Sequence, residues 1–256
     1  MNIVVPVKVV PDLVDELEIT GDGNALDMTF MRMALNESDD HAIEQAILLK
    51  ERGEATVTVM IPDVEDAERI LYTAVAKGAD QPIKLTGDFE DAVNNHALAR
   101  VFARAVKEKE LKPDLVLTGV QAHDDLDGSL GPLLAEYLEM PYVGYVSGVT
   151  LTDGKATVRK EYPGGLIAEM EVTLPAVLGI QAAEQPPRYV AISKTSQAMK
   201  IGGIVEHAVE ELDPSGGPTV SRMSQPEVGE RAEMIDGDED KVATRLIEIF
   251  KELGVV

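Results

Sequence analysis

Residues 115–132 read LVLTGVQAHDDLDGSLGP, and this stretch decides the fold. Leu115 to Thr118 make an apolar run of strand length, entered just after Pro113 stops a helical pattern. A polar loop follows, and Gly128 or Ser129 then opens a helix that residues 131–138 carry to Pro141. Strand, loop at its carboxyl end and helix start form the repeating unit of a parallel α/β sheet, whose ligands bind at such loops. Gly128, Ser129 and Leu130 present backbone N–H groups at the helix start. Those groups, the local dipole and the Ser129 hydroxyl suit a phosphate. An ordinary turn with a Gly-Ser cap accounts for the same residues.

Asp124, Asp125 and Asp127 raise the question of a metal or an acid/base pair. As a calcium loop the run fails, because its twelfth position carries no Glu. As an acid/base pair it lacks an identifiable partner. A solvated acidic loop is the better account, with one carboxylate left for a ribose hydroxyl or a backbone amide.

Upstream the same unit repeats. Residues 2–10 are apolar and β-branched, with Lys8 near their end, and read as one buried strand. Residues 16–28 fold back around Gly21-Asp-Gly-Asn24 as a hairpin-like excursion. Asn36 opens a helix, with Asp39 completing a box-like cap, and Ala42, Ile43, Ala46, Ile47 and Leu49 forming its stripe up to Gly53. Residues 55–61 are a strand. Asp63 then caps a helix with Ala67, Ile70, Leu71, Ala74 and Val75 inward, closing at Gly78. Residues 82–86 are a short strand, and residues 91–111 a long helix with Val93, Ala97, Val101, Ala105 and Val106 inward.

Downstream, residues 143–151, 155–161, 167–173 and 176–180 read as strands, with Asp153-Gly154 and Gly164-Gly165 as turns. The expected fold is α/β: a three-layer, mostly parallel sheet of Rossmann-like, adenine-nucleotide-binding type with an antiparallel extension. Residues 1–183 make the nucleotide-binding domain. Residues 184–256 make a recognition loop, an extended acidic arm and a C-terminal helix that packs on the domain or on a partner subunit. Residues 206–240 hold eleven acidic and two basic residues and read as a solvated segment. Residues 241–253 form the final amphipathic helix, too short to stand without a surface to rest on.

Composition narrows the function. The 256 residues include 46 acidic and 23 basic side chains, a formal charge of −23. Such a surface repels phosphate backbones and anionic lipid, so nucleic acid is not an expected partner. The opening residues are too short and interrupted an apolar run for a signal peptide or a membrane span, so no membrane insertion is expected and the expected location is cytoplasmic. No cysteine is present, which excludes disulfides, thiolate metal sites and cysteine catalysis. His41, His96, His123 and His207 lack metal-ligand spacing. His123, Asp124 and Ser129 lack the strained elbow of a hydrolase triad. The Gly21 run lacks the third glycine of a dinucleotide fingerprint. No catalytic residue and no metal site emerge: the chain reads as a nucleotide-binding fold without reaction chemistry of its own.

The motifs also occur together in one family. They are Val7-Lys-Val-Val-Pro-Asp12, Leu35-Asn-Glu-Ser-Asp-Asp40, Lys77-Gly-Ala-Asp80 and Gly119-Val-Gln-Ala-His-Asp-Asp125 through Gly131. Arg159-Lys-Glu-Tyr-Pro-Gly-Gly-Leu166, Leu174-Pro-Ala-Val177 and Pro187-Arg-Tyr-Val-Ala-Ile192 follow. Each block is weak alone; their common order is specific. In it the chain resembles the beta subunit of electron-transfer flavoproteins, essentially from end to end.

The resemblance implies a heterodimer with an alpha subunit that holds most of the redox FAD, and a structural AMP in this chain. AMP would meet the positions of Val7, Asn36, Ile61, Asp124, Asp127, Gly128, Ser129 and Leu130. Relatives carry Asn, Gln and Thr where this chain has Gly128, Ser129 and Leu130, which leaves backbone contacts to the phosphate. Leu13 matches the position that approaches the alpha-bound FAD. Pro187, Arg188, Tyr189, Ile192 and Lys194 match a loop that docks flavin dehydrogenases such as acyl-CoA dehydrogenases, with a quinone oxidoreductase as acceptor. Ile192 would be its exposed apolar peg. The resemblance thus implies an electron carrier subunit rather than an enzyme. Two other readings remain: an FAD-binding beta subunit of an electron-bifurcating, NADH-oxidising flavoprotein, and a stand-alone nucleotide-binding stress-type module.

Overall fold

The computed structural model of the chain describes residues 1–14, 16–89, 94–125, 127–152, 154–209, 212–226, 229, 232 and 234–255. The elements are β1 (Asn2–Pro6), β2 (Val9–Pro11), β3 (Met33–Leu35), α1 (Glu37–Arg52), β4 (Thr56–Pro62), α2 (Ala67–Lys77), β5 (Gln81–Thr86) and α3 (Asn95–Glu108). There follow β6 (Leu115–Gly119), α4 (Leu130–Leu138), β7 (Tyr142–Thr152), β8 (Lys155–Tyr162), β9 (Leu166–Thr173), β10 (Ala176–Ile180), α5 (Ile192–Ile201), β11 (Val205–Ala208) and α6 (Glu239–Glu252).

The main sheet has nine strands in the order β11-β5-β4-β1-β6-β10-β7-β8-β9. Neighbours from β11 to β7 pair parallel, and β7, β8 and β9 form an antiparallel meander. Successive side chains of a strand point to opposite faces. In β1, Ile3 and Val5 therefore enter a core with α1 and α2, while Val4 enters a second core with α3 and α4. Both faces are covered, which is why these strands read as continuous apolar runs rather than alternating ones. The three-layer, mostly parallel fold is the one expected.

Several local expectations are corrected. Strand β10 belongs to the parallel part: it lies between β6 and β7, parallel to both. Its five residues are all buried, as an interior strand's must be. Residues 2–10 are not one strand. The ladder leaves the main sheet after β1, and β2 pairs antiparallel with β3 in a separate two-stranded sheet. The N-cap of α2 is Asp66, held at φ 64, and not Asp63. Helix α3 starts later than read, capped by the Asn94 side chain, which accepts from Ala97 N at 3.0 Å. Asp91 and Val93 lie outside the described residues, as does Asp153 of the β7–β8 turn. The hairpin within residues 16–28 forms, bridged at Ile19 and Leu26.

The segment after Glu184 carries more structure than a loop. Helix α5 starts at Ile192 and packs against α2. Strand β11, at the start of the stretch read as solvated, extends the sheet beside β5. Helix α6 forms as expected, and none of its residues is buried.

Candidate functional site

From β1 the chain moves outward through α1, β4, α2 and β5. It then crosses the opposite face by α3 and returns to β6 on the other side of β1. The connections diverge between β1 and β6, so a crevice opens at their carboxyl ends, the position where open α/β sheets receive ligands.

The first turn of α1 closes one wall. Asn36 stands at its N-cap, but its side chain makes no cap; Nδ2 donates instead to the Gln121 carbonyl at 3.0 Å. Asp39 does not complete a capping box either. Its carboxylate accepts from Lys8 N at 2.7 Å and from Gly119 N at 2.8 Å, joining the ends of β1 and β6. The group is 2% exposed. Burial pushes its carboxyl up to about 6, against the pull of the Lys8 and Gly119 amides. A Cβ at residue 119 would lie 2.3 Å from Asp39 Oδ1, so only glycine admits this approach.

The loop after β6 forms the other wall. Lys8 Nζ contacts Asp124 Oδ1 and Asp125 Oδ2, each at 2.8 Å. Burial alone would lower the Lys8 ammonium, but the two aspartates outweigh it and hold it above the usual lysine value. Burial alone would raise Asp125, but Lys8 and Asn95 hold it below the usual carboxylate range. Asn95, at the start of α3, donates Nδ2 to Asp125 Oδ2 at 3.0 Å and to Asp127 Oδ1 at 2.5 Å. Asp127 Oδ1 also accepts from Ser129 N at 2.9 Å. His123 Nε2 donates to the Pro11 carbonyl at 2.8 Å and ties the loop to β2. Gly128 turns the chain at φ 60, and a Cβ there would strike the Val120 carbonyl at 2.8 Å.

Among the described residues, four buried oxygens in this region find no hydrogen-bond partner: Asn95 Oδ1, Thr118 Oγ1, Asp125 Oδ1 and Ser129 Oγ. Buried polar atoms are rarely left so, and these four can take hydrogen bonds from a water or another molecule. The crevice carries the carboxylates of Asp39, Asp124, Asp125 and Asp127 beside the ammonium of Lys8. Among the described residues, no group of three or more His, Cys, Asp or Glu is placed to hold a metal ion.

Asn36 and Asp124 are tied to the ends of β1 and β6 through Gln121 and Lys8, Asp127 is tied to Asn95 and Ser129, Gly128 turns the chain between them, and Leu130 opens α4 with its side chain in the core. Val7 and Ile61 are buried at the adjoining ends of β1 and β4. Leu13 is 59% exposed on the turn after β2. Pro187, Arg188, Tyr189, Ile192 and Lys194 sit on a separate segment. Tyr189 and Ile192 are 88% and 82% exposed, and Lys194 faces solvent. Arg188 instead turns inward, its guanidinium 2.8 Å from Glu44 and 2.6 Å from Glu51 on α1. Lys8, Asp39, Asn95 and Thr118 were missed as site residues. The available signal for Asn95 was the Asn94-Asn95 pair, a helix-start signature inside a stretch read as already helical.

Sheet order, covered faces and a polar crevice at the reversal between β1 and β6 define a doubly wound α/β domain of the switch-point class. Residues 28–212 match the family model for the electron transfer flavoprotein domain. Electron transfer flavoprotein subunit beta of Methylophilus methylotrophus is 32% identical, covering 98% of each chain. The protein of the same name in Clostridium acetobutylicum is 31% identical, again over 98% of each. That of Syntrophomonas wolfei is 34% identical over 78% of this chain and 77% of its own. The chain belongs to the electron transfer flavoprotein family, in its beta-subunit line, and a beta subunit implies an alpha-subunit partner. No helix among the described residues is long and apolar enough to cross a membrane.

Proposed function

We propose that this chain is the AMP-binding half of a heterodimeric electron carrier whose alpha subunit holds the redox FAD. The observation that carries the nucleotide reading is the set of partnerless buried oxygens at the switch point, Asn95 Oδ1, Thr118 Oγ1 and Ser129 Oγ. They match the hydroxyls and amines of a nucleoside in kind. The first-turn N–H groups of α4 lack intrahelical partners and match a phosphate. AMP there would be held by residues at the ends of β1, β4 and β6 and at the starts of α1 and α4, and would supply hydrogen-bond partners to the buried oxygens. FAD supplies the electron chemistry; the residues of this chain bind, orient and dock.

Docking falls to the segment at the start of α5. Arg188 anchors it to α1, which leaves Tyr189 and Ile192 outward as apolar contacts for a donor dehydrogenase, with Lys194 beside them. The alpha-bound FAD would supply the redox chemistry between that donor and a quinone oxidoreductase.

The test is nucleotide content. The heterodimer is purified and denatured, and AMP and FAD in the extract are quantified. One AMP and one FAD per heterodimer is the expected result. Two FAD and no AMP would replace this reading with the bifurcating one. As a site test, Ser129→Glu places charge against the phosphate and empties the site; full AMP occupancy in that variant refutes the assignment.

A further inference from the structure

A phosphate at the start of α4 needs the N–H groups found there, and one of them is already in use. Ser129 N–H points at Asp127 Oδ1, and the same oxygen accepts from Asn95 Nδ2. A carboxylate therefore stands where the oxygen of a bound anion would stand. Building on the nucleotide reading of the crevice, we propose that Asp127 is a built-in occupant of the phosphate position. It holds the α4 amide and the Asn95 amide until a nucleotide phosphate displaces it, and it thereby sets how strongly the site prefers a nucleotide to a nucleoside.

An ordinary side-chain cap would leave its surroundings satisfied. Here they are not. Asn95 is 4% exposed and grips Asp127 through Nδ2, yet its Oδ1 has no partner. Thr118 is fully buried and its Oγ1 has no partner. That oxygen faces the first turn of α4, where a Cβ on Gly131 would come within 2.9 Å of it. Ser129 Oγ, at the N-cap of α4, is likewise buried without a partner among the described residues. The Thr118 and Ser129 hydroxyls thus offer donors that one carboxylate does not use, while Asn95 Oδ1, an acceptor, suits a hydroxyl or amine of the nucleoside.

Charge makes the two anions exclusive. Lys8 is engaged by Asp124 and Asp125, so it does not offset a phosphate placed against Asp127. Asp127 itself is exposed, so rotation of its side chain carries the carboxylate into water without unfolding the loop.

The experiment uses the heterodimer stripped of nucleotide. Binding of AMP and of adenosine is measured by calorimetry for the wild type, Asp127→Asn and Asp127→Ala. Asn is nearly isosteric and keeps an acceptor for Ser129 N–H, which guards against loss of the loop. AMP affinity is expected to rise about tenfold or more in both variants, as a competing charge is removed, while adenosine affinity stays within about twofold. Adenosine binding retained with AMP affinity unchanged or weakened would overturn the proposal alone, making Asp127 a cap or a ligand contact. Binding of neither compound by any of the three proteins would overturn the nucleotide reading of the crevice, and this inference with it.

Discussion

Asp39 ties the end of β1 to the end of β6 through two backbone amides, with its carboxylate removed from water. Its folded-state value of about 6 lies above the usual carboxylate range, so the native chain holds a proton there that the unfolded chain releases. Stability from this group is therefore present at low pH and lost as pH rises from about 4 to 6, by about 2–3 kcal/mol. Asp39→Asn removes that slope but sets an NH2 against one of the two amides, a loss of about 1–3 kcal/mol. The expected outcome is a less stable variant whose deficit shrinks between pH 4 and 6, read from denaturant unfolding across that window. A deficit that grows with pH would show that the carboxylate is ionised without cost. Gly119→Ala is the companion test. Its Cβ meets Asp39 Oδ1 at 2.3 Å and Ser38 Cβ at 2.8 Å. We expect a loss of about 3 kcal/mol or more and a clear fall in Tm.

At the scale of elements, the segment proposed to dock is held from both ends. Before α5, Arg188 reaches Glu44, whose side chain is 3% exposed, and Glu51. Arg52 reaches Glu184 at 2.6 Å, and Glu184 also accepts from Val149 N at 3.3 Å. After α5, Lys84 on β5 meets Glu68 of α2 and Glu206 of β11 at 2.8 and 3.1 Å. These clamps leave Ile192 in a defined position although it is 82% exposed. Ile192→Ala should slow electron transfer from the partner dehydrogenase with FAD content unchanged, measured by stopped-flow flavin reduction. Unaltered kinetics would remove the docking role. Arg188→Ala strands the Glu44 carboxylate. Because the arginine is partly solvated, the cost falls below the roughly 3–5 kcal/mol of a fully buried pair. Thermal unfolding should therefore shift down modestly while docking weakens strongly.

The whole molecule carries a formal charge of −23, and its self-repulsion is screened as salt rises. Tm should climb between about 0.1 and 1 M NaCl, where the Debye length contracts from about 10 to about 3 Å. A falling curve would mean that the ion pairs, which salt weakens, outweigh the repulsion. Helix α6 tests the assembly. Its apolar residues include Leu246, Ile247 and Phe250, at 39%, 50% and 42% exposed, and none of its residues is buried in the chain. Deleting residues 239–256 should lower recovery of the alpha subunit in co-purification and leave the unfolding transition of the sheet unchanged. Full recovery would place the heterodimer contact elsewhere.

The sequence by itself determined the alternation of elements. The stripe of α1, the doubly apolar runs of β1, β4 and β6 and the hairpin within residues 16–28 all follow from side-chain periodicity, which is local. It also placed the loop after β6 at a strand's carboxyl end, where a site belongs. Tertiary structure alone decided the partners. The five apolar residues of β10 announce burial, but only pairing with β6, 61 residues upstream at its first matched position, sets that strand inside the parallel sheet. Asp39 looks like a cap because Asn36 lies three residues before it, yet its hydrogen bonds go to residues 31 and 80 positions away. Asn95 enters the site from α3, on the opposite face of the sheet from α1. Local spacing encodes which face of an element is buried; which distant backbone amide a carboxylate meets depends on how the layers close.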